Sequence, residues 1–406
     1  MPHGTDTLLL QLFTIFVWAK VFGELFERLY LPAVLGEILA GVVLGPYATR
    51  LILPGDTIYS IAQIGAVFLL FTVGLETSPN DLIRVGGLSL RVAIAGIILP
   101  LVMGFVFLKM HGQSTHESVF VAAAMVATSV GITARVLRDL DVHKSRAAQI
   151  ILGAAVFDDI LGMLLLGMVV SGVGNSGLGW LHLGLVSAEA IGFAAFMIFV
   201  APGIVGRLEP GIQQMQTQDA PLVLALALCL GLSAAASRIG MAAIIGAFFA
   251  GLAFANYSPR WKLEPRAQAI NLFLAPFFFF TMGSRLDLSV FTRSVVMLAM
   301  MLSAIAIISK IVGCALPLYG EGWRSMLQVG VGMTPRGEVA LIVALIGLQM
   351  NMISQRAYAL VIVMTAVTTV LPPPFLKLLF ANATPAAAAA PGDAESSEVE
   401  ISGQLG

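Results

Sequence analysis

Asp158 and Asp159 stand side by side inside an apolar run, Ser145 through Ser171, that is otherwise long enough to cross a membrane. An ionised side chain at bilayer depth costs roughly 2.5–3.5 kcal/mol on insertion scales, so two in succession point to something that they bind. Lys310 breaches the apolar stretch 295–318 in the same way, and Arg336 with Glu338 the stretch 327–349. Charges held away from water pair with one another, exchange protons or take up an ion. About 15 apolar or small residues precede Lys310 and the next break is Pro317, which makes it a buried ammonium rather than a snorkelling one. Its counter-ion is Asp158 or Asp159. Adjacent helical residues point about 100° apart, so the two acids cannot serve one partner equally. One can pair with Lys310 while the other faces a cavity.

The elements that hold these charges follow from composition. With 58% hydrophobic and 11% charged residues, the chain lies far from the soluble norm of about 25% charged, and its mean hydropathy is +0.93. This is the composition of an all-α polytopic membrane protein. Thirteen apolar segments of helical length are expected near 7–26, 32–46, 57–76, 88–108, 117–137, 145–171, 178–205, 219–237, 239–256, 267–283, 290–318, 323–350 and 356–380. MPHGTDT carries no basic stretch, so the first run reads as a retained helix and not a leader. Cys229 and Cys314 fall inside segments and imply no disulfide. No histidine sits at mid-depth, which leaves a histidine-based metal site or proton relay without support. Residues 381–406, rich in Ala, Ser and acids, read as a disordered tail. No nucleotide-binding or soluble domain follows the membrane part, and no cofactor or nucleic-acid partner is implied.

Lys and Arg counted over alternate loops give eleven against six, with the larger number in the set that includes 77–87, 138–146 and 257–266. The positive-inside rule then puts the N-terminus outside and the C-terminus in the cytoplasm.

The chain also resembles itself. LGEILAGVVL (35–44) matches IGAFFAGLAF (245–254), FLLFTVG (68–74) matches FFFFTMG (277–283), and TSVGITA (128–134) matches TPRGEVA (334–340), in order and at offsets of 210, 209 and 206. Each partner lies seven segments later. Seven is odd, so the repeats are expected to cross the membrane in opposite directions, as in many secondary transporters. The third match falls on polar or helix-breaking residues at mid-depth: Thr128, Ser129, Gly131 and Thr133 in one half, Pro335 and Gly337 in the other. Irregular backbone at that depth lines a cavity or is buried in protein, and two such breaks at equivalent positions are the best pointer to a binding site. Arg336 and Glu338 flank Gly337 and are placed to compensate the ends of half-helices, a structural task more than ion binding. Glu24, Glu37 and Glu76 read as tethers or entrance residues.

In combination, VFDDILGMLLL (156–166), TSVGITARVL (128–137), FFFFTMGSRLDL (277–288), Lys310 and GMTPRGEVALIVA (332–344) resemble the bacterial monovalent cation:proton antiporters, the group that includes Na+/H+ exchangers and gated K+ efflux systems. The resemblance spans nearly all of 7–380. It implies a two-part membrane domain, with core helices near 88–171 and 290–380 and dimerisation or gate helices near 7–76 and 219–283, a homodimer, two crossing broken helices and a bacterial inner-membrane location. It implies that Asp159 is the principal carboxylate for Na+ and protons, that Asp158 pairs with Lys310, and that Thr128 and Ser129 lie near the ion. Na+ is the expected cation, with K+ or Li+ as the alternative; the gated K+ efflux relatives generally carry a neutral residue before the aspartate. A cation channel and an intramembrane aspartyl protease are the other classes to weigh. The protease fits poorly, since its two acids stand on separate helices and one lies in a GxGD context.

Overall fold

A computed structural model describes residues 3–29, 31–77, 86–129, 145–173, 219–238 and 242–380, with isolated positions at 133–142 and 192–207. All regular structure among the described residues is helical. The segment expected at 178–205, apart from such isolated positions, and the tail 381–406 lie outside them.

The helices are α1 (His3–Arg28), α2 (Ala33–Leu44), α3 (Asp56–Glu76), α4 (Gly86–Met110), α5 (Thr115–Val126), α6 (Arg146–Val173), α7 (Ala220–Arg238), α8 (Ala243–Phe254), α9 (Leu263–Ser284), α10 (Arg293–Ala315), α11 (Trp323–Gly332), α12 (Glu338–Gln349), α13 (Gln355–Val370) and α14 (Pro372–Phe380). Among the described residues, eight helices are long and apolar enough to cross a membrane, and α2, α5, α8 and α12 are shorter apolar helices. Large apolar side chains such as Leu10, Phe13, Leu272 and Met297 are more than half exposed, which in a soluble chain would be a severe aggregation liability. Their medium is lipid. The chain is a multi-pass membrane protein.

Three expected segments are not continuous: 356–380 bends at Leu371 between α13 and α14, and two others break at mid-depth. The stretch 323–350 divides into α11 and α12, because Pro335 lacks the amide that would carry the helix onward and residues 333–337 run outside regular structure. The stretch 117–137 stops being helical at Val126, and Ala127, Thr128 and Ser129 are extended or irregular. Helix starts follow side-chain capping. Ser114 accepts from Glu117 N (3.2 Å), Thr292 from Val295 N (3.4 Å) and Ser354 from Ala357 N (3.3 Å). The Glu117 carboxylate accepts from Ser354 N (2.8 Å), which ties the starts of α5 and α13 together.

The internal repeat has a direct counterpart in the packing. Gly41 of α2 lies against the Phe280 carbonyl of α9, while its counterpart Gly251 of α8 lies against the Phe71 carbonyl of α3; Phe71 and Phe280 are themselves counterparts. Gly74 and Gly283 answer in the same way, facing Phe248 and Ile38, and Gly36 and Gly246 face Phe22 and Leu232. At each position a β-carbon would collide with backbone, so glycine is required for the helices to approach this closely. The halves exchange equivalent partners, as a twofold relation between repeats demands.

Packing then gathers α1, α2, α3, α7, α8 and α9 around one another, and α4, α5, α6, α10, α11, α12 and α13 around the charged residues.

Candidate ion site

The two broken stretches cross each other. Ser129 N donates to Pro335 O (2.7 Å), Thr128 Oγ1 to Met333 O (3.3 Å) and Thr133 Oγ1 to Gly332 O (2.7 Å), so backbone freed from one helix is satisfied by the other. Ser129 also packs on Gly337, where a β-carbon would lie 2.6 Å from its hydroxyl.

The C-terminal end of α5 points its last carbonyls into this crossing. Those carbonyls carry the negative end of the helix dipole and need donors. Val126 O receives both Lys310 Nζ (2.9 Å) and Arg336 Nη1 (2.9 Å), and Ala127 O receives Arg336 Nη1 (3.0 Å). Arg336 Nη2 reaches Ala306 O of α10 (3.3 Å), and the Arg336 carbonyl accepts from Thr369 of α13. Arg336 and Lys310 are fully buried.

Lys310 Nζ lies 3.0 Å from Asp158 Oδ1 and 3.2 Å from Oδ2, with Asp158 1% exposed. Asp159 behaves differently. It is partly exposed, and among the described residues it makes no hydrogen bond, to Thr128, Ser129 or any other group. The charged groups that face it are Asp158, Glu338, Glu76 and Lys310. Glu338 opens α12 with its carboxylate at the positive end of that helix. Glu76 closes α3 and accepts from Gln268 Nε2 of α9 (3.3 Å). Leaving aside Glu76, which is exposed at the end of α3, the acids Asp158, Asp159 and Glu338 face the cations Lys310 and Arg336 at formal charges. One negative charge is left over.

A cleft of about 550 Å³ opens between α3, α7, α8 and α9 on one side and α6 and α12 on the other, lined by Tyr59, Gln63, Arg285, Ile342 and Gln349 among others. Its lining on α12 stops at Ile342, one turn beyond Glu338, and does not include Asp159. Tyr59 and Glu76 are separated by about 25 Å along α3 at 1.5 Å per residue. The cleft and Glu76 therefore stand toward opposite ends of α3.

Residue patterns could not disclose the acceptors that organise this cluster, because the carbonyls of Val126, Ala127 and Ala306 belong to apolar residues. Nor did they mark Thr369, or the approach of Glu76 to Asp159; the only signal for the second was a carboxylate at the end of an apolar segment.

Crossed half-helices with a buried, charge-deficient cluster at their meeting point define a secondary transporter of a small ion. The sodium/hydrogen exchanger transmembrane family matches residues 12–381, and the chain belongs to that family. It is 32% identical to the high-affinity Na(+)/H(+) antiporter NhaS3 of Synechocystis, over 93% of this chain and 90% of that one. It is also 32% identical to the Na(+)/H(+)-K(+) antiporter GerN of Bacillus cereus, over 91% and 95%. The sodium proton antiporter MjNhaP1 of Methanocaldococcus jannaschii has the same fold, with a TM-score of 0.70 at 20% identity over 92% of this chain and 97% of that one.

Proposed function

We propose that the protein is a secondary active antiporter that exchanges Na+ for protons at Asp159, with K+ or Li+ as the alternative cation. The observation that carries this reading is the contrast between the two aspartates. Asp158 is engaged with Lys310, whereas Asp159 has a carboxylate left over. A carboxylate out of water is stabilised by a proton or by a cation, and the two compete for it. Either one cancels the surplus negative charge of the cluster, so the loaded site crosses the barrier at lower cost than the empty one. Coupling follows from that difference.

In this reading Lys310 and Asp158 keep each other buried, Arg336 and Glu338 compensate the half-helix ends, and hydroxyl and carbonyl oxygens of Thr128 and Ser129 complete a hard-ion coordination shell as the core moves. The helices around the charges form the moving core, and α1–α3 with α7–α9 form the gate and dimer side of a homodimer. The N-terminus lies outside a plasma membrane and the C-terminus in the cytoplasm, so the Glu76 end of α3 faces the cytoplasm. Exchange in this sense serves pH and Na+ homeostasis, and no cofactor takes part.

Everted vesicles or proteoliposomes holding a pH gradient test the reading. Added Na+ dissipates the gradient in the wild type and fails to do so in Asp159→Asn, with K+ and Li+ measured beside it at two pH values. Unchanged exchange in the variant removes Asp159 from its role, and conduction that ignores the pH gradient replaces the antiporter with a channel.

A further inference from the structure

Most buried hydroxyls in these helices turn back to their own backbone. Thr72 donates to Phe68 O (2.9 Å), Ser303 to Ala299 O (2.7 Å), Thr334 to Gly330 O (2.9 Å) and Thr368 to Met364 O (2.8 Å). Thr365 departs from this habit. It is 1% exposed and its Oγ1 has no partner among the described residues, although the Val361 carbonyl one turn back offers the usual acceptor. A buried donor in the second broken stretch, which Thr369 of the same helix contacts, shares that condition among the described residues. Arg336 Nε has no partner either, while both terminal nitrogens of the same guanidinium are bonded.

A buried group left without a partner costs stability, a charged one most, so two together need an explanation. Their placement supplies it. Thr365 and Thr369 lie four residues apart on one face of α13. Thr369 holds the Arg336 carbonyl, and the guanidinium is anchored at Ala306 of α10, which packs along α13. Arg336 is thus held at its carbonyl by α13 and at its guanidinium by the helix that packs along α13.

We infer that Arg336 Nε and Thr365 Oγ1 share one buried water molecule, held between α10, α13 and the second broken stretch. The N–H donates to the water oxygen, and one hydrogen bond joins the water to the Thr365 hydroxyl. Water is the ligand that this pair selects, since a donor-only nitrogen and a hydroxyl supply the two hydrogen bonds that hold a buried water at minimum. A cation is excluded by the guanidinium itself.

The site also has a place in the repeat. Shifting Asp159 by 206 residues, the offset of the broken stretches, reaches Thr365. The first half thus carries an acid where the second carries a hydroxyl and a water. The water completes the solvation of Arg336, which in turn fixes Val126 O, the carbonyl that Lys310 shares. Thr365 is accordingly a positioning residue, two links removed from the aspartates.

A wild-type cryo-EM map at a resolution that shows ordered water decides the matter without any transport assay, and so stands apart from the exchange reading. Density about 2.7–3.2 Å from both atoms is expected. No density there, with the Thr365 hydroxyl turned to Val361 O, overturns the inference. Melting of detergent-purified variants gives a second test. Thr365→Val, equal in shape but unable to hold the water, is expected to melt several degrees below the wild type, and Thr365→Ser at the wild-type temperature. Thr365→Val melting at or above the wild type overturns the inference as well.

Discussion

Two adjacent carboxylates have become unlike groups through the partners that the fold gives them. Asp158 is closed in by Lys310 with both oxygens engaged, and that pair shares its lysine with the Val126 carbonyl. Removing one member of a buried pair leaves an uncompensated charge and costs about 3–5 kcal/mol, whereas removing both is often neutral. Asp158→Asn is therefore expected to lower the melting temperature sharply, and Asp158→Asn combined with Lys310→Met to restore most of it. A double variant no more stable than Asp158→Asn would mean that the lysine is held chiefly by backbone. Lys310→Met in an otherwise native protein is expected to lose stability or to move fewer charges per cycle, read as current across a solid-supported membrane.

At the scale of helices, the repeat is written in glycines because backbone meets backbone at the contacts between α2 and α9 and between α3 and α8. Substituting Gly41 or Gly251 by Leu is expected to destabilise by an amount at or above the upper end of about 1–3 kcal/mol for overpacking. Gly55 and Gly87, with nothing within 4 Å of a β-carbon, are expected to accept the same change within about 0.5 kcal/mol. Thermal melting of the four variants separates the two groups, and equal losses in all four would contradict the packing account. Such glycines are legible in a sequence because no other residue fits. The second helix break was legible for a similar reason, as Pro335 removes a donor that any other residue would keep. The first break was legible only in outline. Ala127 and Thr128 are not helix breakers, and α5 ends at Val126 because its carbonyls are taken by Lys310 and Arg336 from distant segments. Carbonyl acceptors are common to every residue, so no sequence pattern reports which of them a fold will use. The residues alone left open which aspartate pairs with Lys310; the resemblance assigned it to Asp158, and the ion pair is there.

For the whole molecule, the cleft beginning at Tyr59 stops a turn short of Glu338, and Asp159 faces Glu76 at the other end of α3. In the proposed cycle, alternating access requires that this relation reverse as the helices around the charges move against α1–α3 and α7–α9, carrying a site that a proton or a cation has neutralised. Everything in that cycle rests on one carboxylate holding one or the other. Isothermal titration of the purified protein with NaCl, in two buffers of different ionisation enthalpy, counts the protons released per Na+ bound. The expected result is release of protons on binding, weaker Na+ affinity as the pH falls, and loss of both signals in Asp159→Asn. Na+ binding with no proton release, or wild-type binding in the variant, would contradict competition at Asp159.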